Sequence, residues 1–374
     1  MSNTENKFYV EVYGCQMNIY DSNIISGKLK DRNYQKTENI YQADIIVIQT
    51  CSVRQNAEDK VINRLQFIQS LKKKKPSIKI IISGCLAEHR KEKFIKNYSF
   101  IDLVCGPQEY FQIENFLDKK QKNHKPSNDC YDDWNQDLSI QKGNAYIAIT
   151  RGCNNYCSYC IVPYLRGPEI SRSIDSILNE INSLDKEKFK EITLLGQNVN
   201  SYQYENYDFT QLIIAVAENT SFKRIRFLTS HPKDLSYQLI YAIRDYNEIC
   251  NHIHLPFQSG SNTILKKMNR KYTREHYIDL IREIKNNIPS AALTTDIIVG
   301  FPGETEEDFQ DTLNLIEQVQ FEDAYMYKYS LREGTKAAAW QDTLTEKEKI
   351  NRLNKLIDKQ LSISREVLKK RIGS

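Results

Sequence analysis

Short apolar runs alternate with amphipathic stretches along almost the whole chain, and that alternation limits the fold more than any other feature. The runs at residues 8–13, 45–49, 78–83 and 101–105 have the length and composition of strands. Between them lie stretches with helical spacing, such as residues 57–73, where Val61, Leu65, Ile68 and Leu71 share one face. Strand, helix, strand in this order predicts a parallel sheet with helices on its faces, placed at residues 7–117. Residues 118–142 are rich in Lys, Asn, Gln and Asp, show no apolar period, and read as a linker.

A second alternation follows. Residues 145–150, 192–195, 224–228, 252–255, 293–299 and 324–329 read as six strands, most of them separated by helical stretches such as 209–218, 235–246, 274–286 and 306–319. Six βα units predict an incomplete barrel over residues 143–334, with function at the carboxyl ends of its strands. The tail, residues 335–374, carries Ile350, Leu353, Leu356, Ile357 and Leu361 at helical spacing and is expected to form a long amphipathic helix. The fold class is therefore α/β, a parallel-sheet domain followed by a partial (βα)6 barrel.

Composition mainly excludes. With 40% hydrophobic and 27% charged residues the chain is ordinary for a soluble protein. It has no apolar run of about 18 residues to span a membrane. The N-terminus lacks the basic start and apolar stretch of a secretory signal, which points to the cytoplasm. The net charge of +4 permits nucleic-acid binding without arguing for it, and the basic runs Lys72–Lys75 and Lys369, Lys370, Arg371 read first as solvated helix ends. Nine cysteines in a reducing compartment point to metal or redox chemistry rather than a disulfide framework.

The segment RGCNNYCSYC puts Cys153, Cys157 and Cys160 in a C-x3-C-x2-C pattern after the first barrel strand. Three thiolates so close can hold three irons of one 4Fe–4S cluster, leaving the fourth open to a ligand. Zinc and a merely structural triplet are the alternatives. Zinc lacks a second C-x2-C pair or a nearby histidine to complete it. In the first domain Cys15, Cys51 and Cys85 stand 36 and 34 residues apart, each just beyond a predicted parallel strand. Such strand ends line one edge of a sheet, where open α/β sheets place their sites. Three cysteines in the same strand-end position can converge on a second cluster. Cys105 also follows an apolar run and is either a fourth ligand or a buried thiol, while Cys130 and Cys250 have no evident partner.

Barrel-top positions supply further candidates. Gln197 and Asn198 end the second strand, Ser230 and His231 the third, Gln258 follows the fourth, and Asp296 with Gly300 to Glu304 belongs to the fifth strand and its turn. These favour cofactor or substrate contacts, against turn-forming and capping roles. Arg166 and Arg172 flank the triplet and suit phosphate or a cofactor carboxylate as well as a surface ion pair.

The triplet with Tyr159 before its last cysteine resembles the signature of radical S-adenosylmethionine (SAM) enzymes. YGCQMNIYDS, QTCSVRQNAEDKV and SGCLAE resemble the N-terminal blocks of the methylthiotransferase family, and GCNNYCSYCIVPYLRG, LLGQNVNSY, FLTSHP, HLPFQSGSNTILKKMNRKYT, TDIIVGFPGETEEDF and SLREGT extend the likeness from about residue 8 to 370. It is similar to the MiaB-type branch, which modifies transfer RNA. The resemblance implies two 4Fe–4S clusters, the auxiliary one on Cys15, Cys51 and Cys85, and SAM on the open iron of the triplet cluster with Tyr159 beside its adenine. It implies addition of a 2-methylthio group to isopentenyladenosine in the tRNA anticodon loop, by a monomer taking electrons from a flavodoxin- or ferredoxin-type donor. The two sites are expected to face each other. Sister enzymes act on threonylcarbamoyladenosine in tRNA or on a ribosomal-protein aspartate, and a two-cluster electron carrier or scaffold is the non-enzymatic alternative. Members normally continue into a TRAM domain; the expected architecture here stops at the tail helix.

Overall fold

The first apolar run becomes strand β1 (Lys7–Tyr13), and the elements after it follow the alternation: α1 (Gln16–Lys30), β2 (Gln35–Lys36), β3 (Ile45–Thr50), α2 (Gln55–Lys74), β4 (Lys79–Gly84), α3 (Cys85–His89), α4 (Lys91–Asn97), β5 (Leu103–Cys105) and α5 (Phe111–Leu117). This is a computed structural model that describes residues 6–52, 55–118, 136–139 and 141–372. The five strands form one parallel sheet in the order β2-β1-β3-β4-β5. Every residue of central β3 is buried, because helices cover both faces. Ile46, Ile48, Ile80 and Ile82 pack with Val61, Leu65 and Ile68 of α2 on one side. Ile45, Val47 and Ile81 pack with Ile25 and Leu29 of α1 and Ile113 of α5 on the other. Each such side chain contributes about 1.5–3 kcal/mol by leaving water.

The chain continues through β6 (Gly143–Ala148), β7 (Thr150–Arg151), α6 (Val162–Arg166), β8 (Ile170–Ser171) and α7 (Ile174–Asn182). It then runs through β9 (Phe189–Leu195), the short hairpin β10 (Gln203–Tyr204) and β11 (Tyr207–Asp208), α8 (Phe209–Asn219), β12 (Ile225–Phe227), α9 (Tyr237–Asp245) and β13 (His252–His254). The last elements are α10 (Asn262–Lys267), α11 (Arg274–Asn287), β14 (Ala292–Val299), α12 (Glu306–Val319), β15 (Asp323–Lys328) and α13 (Glu346–Lys370). Helices α8 to α13 start at Asp208, Ser236, Ser261, Thr273, Thr305 and Thr345, each accepting a hydrogen bond from a backbone N–H of the first turn.

Two units result. The first runs to Gly152 and resumes over Val162–Ile177; the second takes Cys153–Ile161 and the chain from Leu178 onward. The division differs from the sequence boundary at residue 143: β6, β7, α6 and β8 go with the first unit. The expected linker is also shorter than its composition suggests. Asp137 is buried, pairs with Lys30 at 2.7 Å, and donates its N–H to the Asn23 carbonyl, while Asn23 donates to Gln136 and Gln141. Polar residues here bond one another against α1, which composition alone does not reveal. Cys130 lies outside the described residues.

In the second unit β9 pairs in parallel with β12, and β13, β14 and β15 pair in parallel with one another. A bridge between Ile225 and Ile249 joins the two sets. The order β9-β12-β13-β14-β15, with helices between, is that of a partial parallel barrel. Residues of β14 alternate between buried and half-exposed, so one face of the wall stays partly open.

The tail helix packs on a face turned away from the centre of the one its apolar spacing predicts, with Leu356 common to both. Lys349, Arg352, Leu356, Gln360 and Ile363 are buried, while Ile350 and Leu361 are exposed. Partners explain the rotation: Arg352 pairs with Glu304 at 2.6 Å and Gln360 donates to the Phe321 carbonyl at 3.0 Å. Buried polar groups with partners are tolerated where unpaired ones are not. Among the described residues no helix is long and apolar enough to cross a membrane.

Candidate functional site

The register of the first sheet places Cys15, Cys51 and Cys85. Tyr13 lies opposite Thr50, and Thr50 opposite Gly84, so β1, β3 and β4 end in one row. Cys51 and Cys85 follow that row directly and Cys15 stands two residues past Tyr13. Adjacent parallel strands lie about 4.8 Å apart, so the three cysteines leave the sheet within about two strand spacings. Order 2-1-3-4-5 reverses direction between β1 and β3, and sites in open α/β sheets sit outside that switch point.

Local bonds hold these ends together. Cys15 caps α1; its backbone N–H and thiol both donate to Asn18 Oδ1, and Asn18 Nδ2 donates to the Thr50 carbonyl at 2.9 Å. Thr50 Oγ1 donates to the Ser83 carbonyl and accepts from the Ala87 N–H. Burial pushes the Cys85 thiol up, and the Arg166 guanidinium hydrogen-bonded to it pulls the other way. Cys105 is different: it lies in the apolar layer with Phe8 and Ile45, and burial pushes its thiol up to about 12.

Arg166 and Arg172 are not surface residues. Arg166 and Arg151 both pair with the fully buried carboxylate of Asp21, at 2.8 and 3.0 Å. Arg172 is buried and donates to the Ala148 carbonyl, Ser176 Oγ and Tyr20 Oη. Asp21, six residues after Cys15, lies in the block YGCQMNIYDS, but neither spacing nor composition marks it for burial.

The triplet belongs to the second unit, where residues after α10 grip its loop. The Ser158 N–H donates to the Met268 carbonyl and Ser158 Oγ to the Lys267 carbonyl. Asn269, at φ +57°, donates to the carbonyls of Asn155 and Tyr156. The next residue, Arg270, is buried; Nη1 reaches Cys157 Sγ at 3.6 Å and Nη2 donates to the Pro256 carbonyl at 2.8 Å. Cys153 and Cys157 are buried and Cys160 half-buried, with the Cys160 N–H bonded to the Cys157 carbonyl. Tyr159 is half-buried, edge-on to Phe301. Asn269 is the kind of residue that ends a helix in a left-handed turn, a signal available in the sequence. Nothing in the spacing marks Arg270.

At the strand ends of the same unit, buried polar atoms lack partners. Among the described residues, Gln197 Oε1, Asn198 Oδ1, Ser230 Oγ, Gln258 Oε1 and Arg270 Nε make no hydrogen bond. Backbone bonds place some of them side by side: the Val199 N–H donates to the Thr229 carbonyl, and the Gln258 N–H to the Asp296 carbonyl. Thr229 and Gln258 sit at φ +68° and +67°, strain of the kind that gathers at ligand sites. Asp296 is half-exposed and 3.6 Å from His254 Nε2. Burial, then the charges of Arg270, Lys233 and Lys271, drives the His231 pKa down to about 2, so its ring stays neutral. Orphaned buried acceptors, a hydroxyl and a cationic donor fit a ligand rich in amino, carboxylate, hydroxyl and base groups, as SAM is.

Among the described residues no three His, Cys, Asp or Glu side chains are grouped closely enough to share one metal ion. A four-iron cluster asks less closeness, since each thiolate takes a different iron.

Residues 147–316 match the radical SAM superfamily and residues 7–106 an uncharacterized protein family, UPF0004. Over 371 residues the chain is 46% identical to the tRNA-2-methylthio-N(6)-dimethylallyladenosine synthase of Acetivibrio thermocellus, spanning 96% of this chain and 77% of that protein. This chain belongs to that synthase family. A family relative from Parabacteroides distasonis is 45% identical over 388 residues, spanning 99% and 83% of the two chains. Among solved structures the fold is similar to that of the radical SAM methyltransferase TsrM from Kitasatospora setae, with cobalamin and a 4Fe–4S cluster bound (TM-score 0.68, 12% identity, 89% of this chain and 77% of that one). It is also similar to the cobalamin-dependent SAM radical enzyme OxsB (TM-score 0.65, 15% identity, 94% and 56%). At these identities the two structures speak for the fold alone.

Proposed function

We propose that the chain adds a 2-methylthio group to N6-dimethylallyladenosine (isopentenyladenosine) of transfer RNA, in the anticodon loop. The register row that delivers Cys15, Cys51 and Cys85 to one sheet edge supports a methylthiotransferase, because the C-x3-C-x2-C loop alone would fit any radical SAM enzyme. The 46% identity to a tRNA-2-methylthio-N(6)-dimethylallyladenosine synthase over 96% of this chain carries the choice of substrate.

The adenine carbon to be modified bears a strong, unactivated C–H bond that no side-chain base can ionise usefully. When bound, two 4Fe–4S clusters and SAM supply what the side chains lack: an electron to open the sulfonium, and a held sulfur to transfer. Cys153, Cys157 and Cys160 are the proposed ligands of one cluster and Cys15, Cys51 and Cys85 of the other. Gln197, Asn198, Ser230 and Gln258 offer their unpaired polar atoms to SAM, with Asp296 at the open face of β14 and Tyr159 beside the adenine. The burial of Asn198, Ser230 and Gln258 keeps water from that part of the site. An unstacked loop base is the form in which proteins read RNA sequence, and the anticodon loop offers one. We further place the enzyme in the cytoplasm as a monomer, with electrons from a flavodoxin- or ferredoxin-type protein.

The test is nucleoside analysis by mass spectrometry of tRNA from a host lacking its own synthase. Expression of this chain should restore 2-methylthio-isopentenyladenosine, and the Cys15→Ala and Cys157→Ala variants should each restore none. A modified threonylcarbamoyladenosine in its place would move the assignment to the sister enzymes. Unmodified tRNA with a methylthiolated ribosomal protein would move it to the aspartate enzyme.

A further inference from the structure

Buried charges in proteins are normally paired, and the buried arginines of this chain show how. Arg151 and Arg166 share Asp21, and Arg352 has Glu304. Arg172 instead bonds the Ala148 carbonyl and two hydroxyls, and Arg270 departs further, because it touches a cysteine of the triplet. It is buried, yet its partners are the Pro256 carbonyl, the face of Tyr272 at 5.4 Å and Cys157 Sγ; no carboxylate among the described residues pairs with it. Its Nε makes no hydrogen bond among the described residues. A guanidinium does not release its proton in proteins, so the site keeps a full positive charge at every working pH. Leaving such a charge uncompensated is expensive unless an anion completes the site.

We propose that Arg270 is a positioning residue for the triplet cluster: through Cys157 it supplies the positive charge and the N–H donor that raise the cluster's reduction potential. The inference rests on the reading that Cys153, Cys157 and Cys160 hold a four-iron cluster. Three thiolates on such a cluster make it more anionic with each electron gained, so a fixed cation touching one thiolate favours the reduced state. Charge and hydrogen bonds to sulfur are among the main determinants of cluster potential. The geometry suits this role. The Asn269 side-chain amide donates to the Asn155 and Tyr156 carbonyls before Cys157, and the Met268 carbonyl accepts the Ser158 N–H after it, so the guanidinium meets a sulfur whose place is already set.

The experiment is a redox titration of the reconstituted full chain followed by electron paramagnetic resonance, in the wild type, Arg270→Lys and Arg270→Met. The triplet cluster is identified as the signal that changes when SAM is added. Arg270→Met is expected to bind the wild-type amount of iron and to show this signal only at more negative potential. Its release of 5′-deoxyadenosine should fall at a weak reductant and recover at a strong one. Arg270→Lys, which keeps the charge, should lie nearer the wild type. An unchanged midpoint in Arg270→Met at full iron content would overturn the proposal. So would equal loss of iron in both variants, which would make Arg270 a structural part of the loop. If the wild type shows no SAM-responsive signal, the cluster assignment itself falls, and this inference with it.

Discussion

At the scale of single residues, the site is built from buried groups whose charge state the fold decides. His231 is the clearest. Its Nδ1 accepts the Lys233 N–H, and burial with nearby cations lowers its pKa from the ordinary 6.5 to about 2. A pKa lowered on folding means that the unfolded chain takes the proton first. The stability that His231 contributes is therefore complete above pH 6.5 and is lost progressively as pH falls toward 2. Replacing His231 with Asn, which keeps an acceptor for Lys233, should flatten the fall in melting temperature between about pH 6.5 and 4. Parallel curves for the two proteins would mean that other groups govern acid unfolding. Asp21 shows the opposite arrangement, one carboxylate between two arginines, and it fixes Arg166 where that guanidinium meets Cys85.

Elements decide which residues meet, and here backbone contact matters more than side-chain size. Gly84 ends β4 at φ +98°, and a Cβ placed on it would stand 2.4 Å from the Thr50 carbonyl oxygen. Only glycine lets the ends of β3 and β4 come this close while the chain turns at once into Cys85. Gly84→Ala should cost about 2 kcal/mol or more in denaturant unfolding, and should deplete iron at the auxiliary site more than at the triplet. Wild-type stability in that variant would show that the turn can relax. Gly152 has a similar constraint, with the Pro168 carbonyl 1.9 Å from the position of its Cβ, immediately before the triplet begins.

For the whole molecule, the two cysteine sets belong to different units: Cys15, Cys51 and Cys85 to the first, Cys153, Cys157 and Cys160 to the second. Each set is held by bonds inside its own unit. Iron uptake at one site should therefore be independent of the other. Anaerobically reconstituted protein should carry two four-iron clusters per chain. Replacing either triple of cysteines with alanine should remove half the iron and sulfide and leave the remaining cluster's spectrum unchanged. Loss of all iron from either variant would show that the sites assemble together.

Much of this was legible from residue pattern alone. The strands and helices were, because burial on one face imposes a period of about 3.6 on helices, while a doubly covered strand becomes a continuous apolar run. The placement of Cys15, Cys51 and Cys85 just past three parallel strands was legible too, from the apolar run before each. What the sequence could not state is which strands become neighbours. The adjacency of β1, β3 and β4, with their ends in one row, turns three distant cysteines into one edge. Nor did apolar spacing find the packed face of α13, where Arg352 and Gln360 are buried through bonds to Glu304 and Phe321. Arg270 and Asp21 were hidden for the same reason. A polar residue's burial depends on partners that arrive from elsewhere in the chain, and only the folded structure brings them together.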